Sequence, residues 1–302
     1  MTKLPVTISI DLEDFSQDYR RYVAGAQDYR VRTEALWSAY RKIEAFCQSR
    51  LGGRRMTFFT TGVLAHHFPD LIGAIASDGH EIGCHYYFHD NVGREDPVLF
   101  GQRLDQAIDA LSAASRQEIL GFRAPNLSIT RDMVAHYREI AKRFSYDSSL
   151  AIETAFSEFS GEWNDITLDG KMRLFPVAMD HRFGGRLKVR SGGSYMKLFP
   201  IEWTIATLKK AYRNSFMPAM YLHPYEFVDD QSFWVTWSEL EGAPLPRRAL
   251  SWARQLQWHV VGNRGIPAKL ARTLEEFEHI GPMKMLLENA KTMPIAAVPV
   301  AP

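Results

Sequence analysis

The sequence predicts an α/β protein built on a largely parallel sheet, and two observations predict it. Short β-branched or aromatic runs alternate with amphipathic stretches along most of the chain, the pattern of successive strand–helix units. The reactive residues Asp11, His85, Arg123, Asp147 and His223 recur at the ends of those runs. Parallel α/β folds keep their chemistry at the carboxyl ends of strands.

Val6–Ile10 reads as a buried strand because its residues are mostly β-branched. It runs into Asp11-Leu12-Glu13-Asp14, where three carboxylates in four positions are expensive unless something uses them. The segment reads either as a polar loop with helix-capping acids or as a base and a metal ligand. Strand alternation puts Asp11 and Glu13 on one face and Asp14 on the other. Thr33 to Arg50 has helix start signals and helical apolar spacing, and Gly52-Gly53 stops it. Met56 to Gly62 reads as the next strand, Asp70 to Asp78 as a short helix ended by Gly79, and Glu81 to Cys84 as a third strand. That strand delivers His85 and His89, a pair whose spacing suits a divalent metal but is weak by itself.

Asp96 to Ser115 is amphipathic, with Leu99, Leu104, Ile108 and Leu111 on one side. Ile119 to Phe122 is a strand delivering Arg123-Ala124-Pro125-Asn126, and Thr130 caps a helix that runs to Arg143. Phe144 to Ser149 reads as strand and turn. Ala151 to Phe199 is irregular, aromatic and glycine-rich, and is expected to supply short strands and a binding loop. Pro200 to Ser215 is a helix, and Ala219 to Leu222 a strand delivering His223-Pro224-Tyr225-Glu226. Beyond Asp230 the chain is polar and aromatic, then helical from Ala268 to Glu278 and near Pro282 to Asn289. The tail after Met293 carries no fold signal.

Length and composition bound the function. The 302 residues suit one large domain or two small ones, and 46% hydrophobic with 24% charged residues is an ordinary globular balance. A net charge of +1, from 36 basic and 35 acidic residues, offers no basic stripe for nucleic acid. Two cysteines, Cys47 and Cys84, are no disulfide framework. No stretch approaches the roughly 18 apolar residues of a membrane span. The N-terminus enters a strand without a leader pattern, so a cytoplasmic protein is the expectation.

Taken in order, these segments resemble the polysaccharide deacetylase family that shares the NodB homology domain. The resemblance rests on Asp11-Leu12-Glu13-Asp14, the His85/His89 pair, Arg123-Ala124-Pro125, Leu222-His223 and, most weakly, Tyr146-Asp147-Ser148-Ser149. It covers roughly residues 5 to 228. It is nearest to a branch that adds a Gly-Gly-x-Tyr segment, here Gly192 to Tyr195, a His-Pro-Tyr-Glu ending and a helical extension. The resemblance implies a distorted (β/α) barrel over residues 1–230, with residues 231–302 as a helical extension packed on the same domain.

It also implies a metal-dependent hydrolase that removes an N-acetyl group from an amino sugar or saccharide. Surface-polysaccharide or O-antigen synthesis is the expected setting. The implied cofactor is a divalent metal, zinc in the first place, with cobalt, manganese, nickel or iron as alternatives. His85 and His89 would hold it with one carboxylate. Alternation favours Glu13 for that ligand, and a turn starting at Leu12 favours Asp14. Asp11 would be the general base, held charged and oriented by Arg123. His223 would be the general acid, with Asp147 as the group that keeps it protonated. Pro125, Asn126, Tyr195 and Tyr225 are the expected substrate-binding residues, a backbone N–H of Asn126 or Leu127 adding to an oxyanion hole. His181 is a lesser candidate for the site. His80 and Cys84 read as structural, His66 and His67 as solvated, and the aromatics from Phe233 to Trp258 as core. The rival functions are another amide hydrolase on the same fold and a catalytically silent sugar-binding protein.

Overall fold

A computed structural model describes residues 3–153 and 172–289. The tail after Met293 and part of the irregular segment lie outside the described residues. Strand β1 (Leu4–Leu12) is the central stave, longer than its β-branched heart suggests. It pairs in parallel with β2 (Thr57–Thr60) on one side and β10 (Ala219–Leu222) on the other. From β2 the sheet continues in parallel through β3 (Glu81–Cys84), β4 (Gly121–Phe122) and β5 (Tyr146–Asp147) to β7 (Arg173–Leu174). From β10 it continues to β8 (Val177–Arg182) and β6 (Ala151–Ile152). Only Phe175 and Pro176 separate β7 from β8. One segment therefore touches β5 at its start and β10 further on, and the sheet curls into a distorted barrel. Ile8, Ile10, Phe58 and Ile82 fill its core, each at most 1% exposed.

The helices between the strands are α1 (Phe15–Ala24), α2 (Thr33–Arg50), α3 (Gly62–His67), α4 (Pro69–Ser77), α5 (Pro97–Ser115) and α6 (Val134–Ala141). Asp96 caps α5 by accepting the N–H groups of Val98 and Leu99, with Pro97 at the first helical position. α1 and α3 were not expected. α6 starts at Val134, with Met133 rather than Thr130 at its cap position and no side-chain cap. The Thr130 hydroxyl is instead bonded to Asp132, a local turn that competes with the helix.

The irregular stretch resolves into an antiparallel hairpin. β8 pairs with β9 (Leu187–Arg190) across a turn in which Phe183, Gly184 and Gly185 all have positive φ. Next come α7 (Gly193–Leu198) and α8 (Ile201–Arg213). Gly192, at φ 153°, bridges to Tyr221, and a Cβ there would lie 2.1 Å from the Tyr221 carbonyl oxygen. That approach is open to glycine only.

After His223 the chain forms a helix where none was expected, α9 (Leu245–His259), followed by α10 (Ile266–Glu276). The chain then does not stay helical to Glu278. Residues Phe277–His279 form β11, which pairs in parallel with the start of β1. The ring of His279 accepts the Ile8 N–H at 3.1 Å, tying the two strands. A short helix, α11 (Lys284–Asn289), ends the described chain.

Candidate active site

Asp11 is the penultimate residue of β1, and Glu13 and Asp14 follow the strand. The two neighbours point to different work. Asp14 is the N-cap of α1: its Oδ1 accepts the N–H of Ser16 and Gln17, and its Oδ2 that of Arg32 at 2.7 Å. Burial pushes its carboxyl up to about 6 against those donors. With both oxygens taken by backbone, Asp14 stands outside the metal cluster, against the alternative that made it the ligand.

Glu13 instead faces the histidines. Its Oε2 lies 2.5 Å from His89 Nε2, and its Oε1 3.9 Å from His223 Nε2. Ligand atoms of Glu13, His85 and His89 all lie within 4.8 Å of one another. Burial opposes charge on Glu13, but the imidazoles of His89, His223 and His85 hold its pKa below the usual carboxylate range. The same contact raises His89 against the pull of its own burial. Burial pushes His85 down to about 4, which keeps it neutral, the form that ligates metal.

The His85 ring is oriented by a bond from Nδ1 to the Arg123 carbonyl at 2.7 Å, leaving Nε2 for the cluster. The donor set fits a divalent cation: two imidazoles and one carboxylate whose ligand atoms converge in a buried wall. Tyr86, between the two histidines, sits in the left-handed region at φ 68°. Such backbone collects at functional sites.

Arg123 is fully buried and holds Asp11 through Nη1 at 2.6 Å. Nη1 also donates to the Ser9 hydroxyl, Nε and Nη2 donate to Ser148, and the guanidinium lies 4.2 Å over the Phe59 ring. Asp11 is thereby fixed with one oxygen toward the arginine. The following turn places Asn126 (φ 58°) and Leu127 (φ 52°) on the pocket wall, both left-handed. The Leu127 N–H is spent on the Ala124 carbonyl at 3.0 Å, so of the two expected backbone donors Leu127 is already committed.

His223, after β10, is 15% exposed at its side chain and stacks on Tyr225 with ring planes 10° apart. Its Nδ1 meets Glu226 Oε2 at 3.3 Å, and the same oxygen accepts its N–H at 2.9 Å. Burial works against charge on His223, but Glu226, then Glu13 and Asp11, raise its pKa. Glu226, not Asp147, is therefore the carboxylate beside His223. Asp147 is turned to Ser149, whose hydroxyl and N–H it accepts, and burial pushes it up to about 7. The Asp147 carboxylate is spent on Ser149 and Tyr137, so the expected Asp147–His223 pair does not form.

Tyr195 and Tyr225 line the same pocket as Asp11, Glu13, His85, His89 and His223. Pro125 is buried and does not line the pocket, whereas Asn126 does. The walls also contain Asp18, Tyr19 and Arg190, to which sequence reasoning assigned no role, and Trp258, which it read as core. Asp18 was findable as the residue one helical turn after Asp14 on α1. Burial pushes its carboxyl up to about 8. Among the described residues Arg190 supplies the one Lys or Arg side chain of the lining, and its Nε is buried without a partner.

His181 bonds Glu153 instead of facing the pocket, and Cys84 is a buried thiol pushed up to about 12 by burial. His80 is buried and structural: it accepts the Met56 N–H and meets Glu44. The Glu44–Cys47–His80 grouping is thus spent on internal bonds, Glu44 being paired with Arg55 as well. His66 and His67 are exposed.

Comparison with known proteins adds three findings. Residues 52–146 match the polysaccharide deacetylase family model, and residues 153–281 match a domain of unknown function, DUF3473. A peptidoglycan deacetylase-like protein of Gibberella zeae is 32% identical over 97 residues, which are 32% of this chain. The match spans 28% of that curated relative's length. The crystal structure of a candidate polysaccharide deacetylase from Mycobacterium smegmatis superposes with a TM-score of 0.54 at 16% identity, over 96% of this chain and 91% of that one. A family 4 carbohydrate esterase from Streptomyces lividans is more distant, with a TM-score of 0.39 at 16% identity over 84% and 90% of the two chains.

Proposed function

The chain belongs to the polysaccharide deacetylase family, and from that premise we propose that it is a metal-dependent N-deacetylase of an amino sugar. The observation that carries the proposal is the position of the Glu13 carboxylate. It lies between His89 and His223, with His85 completing a cation-sized trio beside an Asp11 clamped by Arg123. Neither sugar binding nor fold stability requires that arrangement, because it gathers charge in a buried wall.

A divalent cation held by Glu13, His85 and His89 would supply Lewis acidity to the amide carbonyl and to water. The protein's own residues do the rest. Asp11 takes a proton from the attacking water as its oxygen bonds the carbonyl carbon. The Asn126 N–H is placed to meet the developing oxyanion. The C–N bond breaks as His223 Nε2 passes its proton to the leaving nitrogen, giving acetate and a free amine. Glu226 keeps the other ring nitrogen paired and Nε2 turned to the pocket. Tyr195, with Tyr225 and Trp258 on the same pocket wall, would meet the sugar. A nucleotide- or lipid-linked saccharide of surface-polysaccharide or O-antigen synthesis is the proposed substrate class.

The test is acetate release from a panel of N-acetylated sugars, free and carrier-linked, by protein reconstituted with zinc. Release that disappears in Asp11→Asn is the expected result. No release from any member of the panel would overturn the reading.

A further inference from the structure

Helix α9 is built inside out. The residues it buries are Arg248, Ser251, Gln255 and His259. A helix on a water-facing surface shows the reverse, with its apolar stripe turned inward. The buried polar groups act as clamps. Gln255 exchanges two bonds with the Val235 backbone at 2.7 and 2.9 Å, Arg248 donates to the Trp237 carbonyl, and the Ser251 carbonyl accepts the Tyr19 hydroxyl. The outward side carries an apolar flank next to exposed Arg247, Arg254 and Gln257. Leu245, Trp252, Leu256 and Val260 follow one another at spacings of seven, four and four on that flank, 39 to 69% exposed, and Leu250, about a third of a turn round the helix, is 62% exposed.

Three further observations say what covers this face. The helix exposes Arg247 and Arg254 and no acidic residue, so a second copy would bring like charge to like. Four of the seven tryptophans gather here: Trp237 and Trp234 pack on Trp252 at 6.4 and 5.9 Å, and Arg254 lies over Trp258 at 4.9 Å. Indole rings flanked by arginine suit the boundary between lipid headgroups and acyl chains. Trp258, on the Arg247/Arg254 side of the same helix, lines the active-site pocket.

We propose that α9 lies flat on an anionic membrane surface and turns the pocket mouth toward lipid-anchored saccharides. The helix has 15 residues, and no helix among the described residues is long and apolar enough to cross a bilayer, so it lies on the membrane rather than in it. The docking itself does not depend on the deacetylase reading; only the lipid-anchored substrate does.

The experiment is flotation of the full chain with vesicles of phosphatidylglycerol and phosphatidylcholine, beside vesicles of phosphatidylcholine alone. The protein should float with the anionic vesicles only and be released by about 0.5 M salt. Leu256→Glu and Arg254→Glu should each lower the bound fraction about tenfold or more. Leu256 is exposed, so Leu256→Glu should keep its circular dichroism, its melting temperature and its turnover of a water-soluble N-acetyl sugar. Failure of the native chain to float, or equal flotation of Leu256→Glu, would overturn the proposal. So would light scattering that finds a dimer which Leu256→Glu dissolves, because the face would then belong to a second copy. Flotation without acetate release from any sugar sinks the deacetylase reading alone. Acetate release without flotation sinks the docking alone.

Discussion

The Glu13 carboxylate faces two imidazoles, whereas that of Asp14 accepts three backbone N–H groups, and the two should fail differently when removed. Glu13→Ala should take bound zinc from about one ion per chain to near none, measured by elemental analysis, and abolish acetate release with it. Asp14→Ala should keep the metal and lower stability by about 1 to 2 kcal/mol, the cost of a lost N-cap, read from denaturant unfolding. A pH profile tests His223. As the acid it must carry its proton, and Glu226 helps raise its pKa, so activity should fall as pH rises through that raised value. Glu226→Gln removes the raising charge and should move the alkaline limb of kcat to lower pH. An unmoved limb would show that Glu226 does not set that protonation. At this scale the sequence was partly legible. Strand alternation picked Glu13 over Asp14 because the strand runs on through Asp11 to Leu12. It could not find Glu226 as the partner of His223, since Glu226 reaches back through a tight turn of four residues.

Among the elements, the Gly192-Gly193 turn sets the binding wall that carries Tyr195. Gly192→Ala would press a methyl against the Tyr221 backbone and force an L-residue into a glycine conformation. It should cost about 2 kcal/mol or more in stability and raise KM more than it lowers kcat, because Tyr195 belongs to the substrate wall and not to the reacting groups. The strands were legible because β-branched and aromatic runs are short and bounded. α1 was hidden by its polar composition: it carries Asp18, Arg20 and Arg21 and buries Ser16, Gln17 and Arg20. α9 was hidden for a related reason. Its apolar residues face outward and its polar ones inward, so the expected period has the wrong phase for a water-soluble helix, and Pro244 and Pro246 interrupt its start.

For the whole molecule, the segment after Asp230 is structural as well as peripheral. β11 pairs with β1, and Trp258 reaches the pocket. A chain stopped at residue 230 should therefore lose cooperative unfolding, which circular dichroism during a thermal melt would show; a sharp, native-like transition would contradict this. Chelation should abolish acetate release and lower Tm, with zinc restoring both, because a ligand bound only to the folded state stabilises it by mass action.

Sequence alone determined the parallel α/β architecture and the order of its reactive residues, because strand and helix periods are local and each motif follows its own strand. Only the tertiary structure decided which of those residues meet. Pairing of β10 with β1 sets Glu13 between His89 and His223, while Asp147 spends its carboxylate on Ser149. Those encounters join residues up to about two hundred positions apart. No local pattern encodes them; register and curvature do.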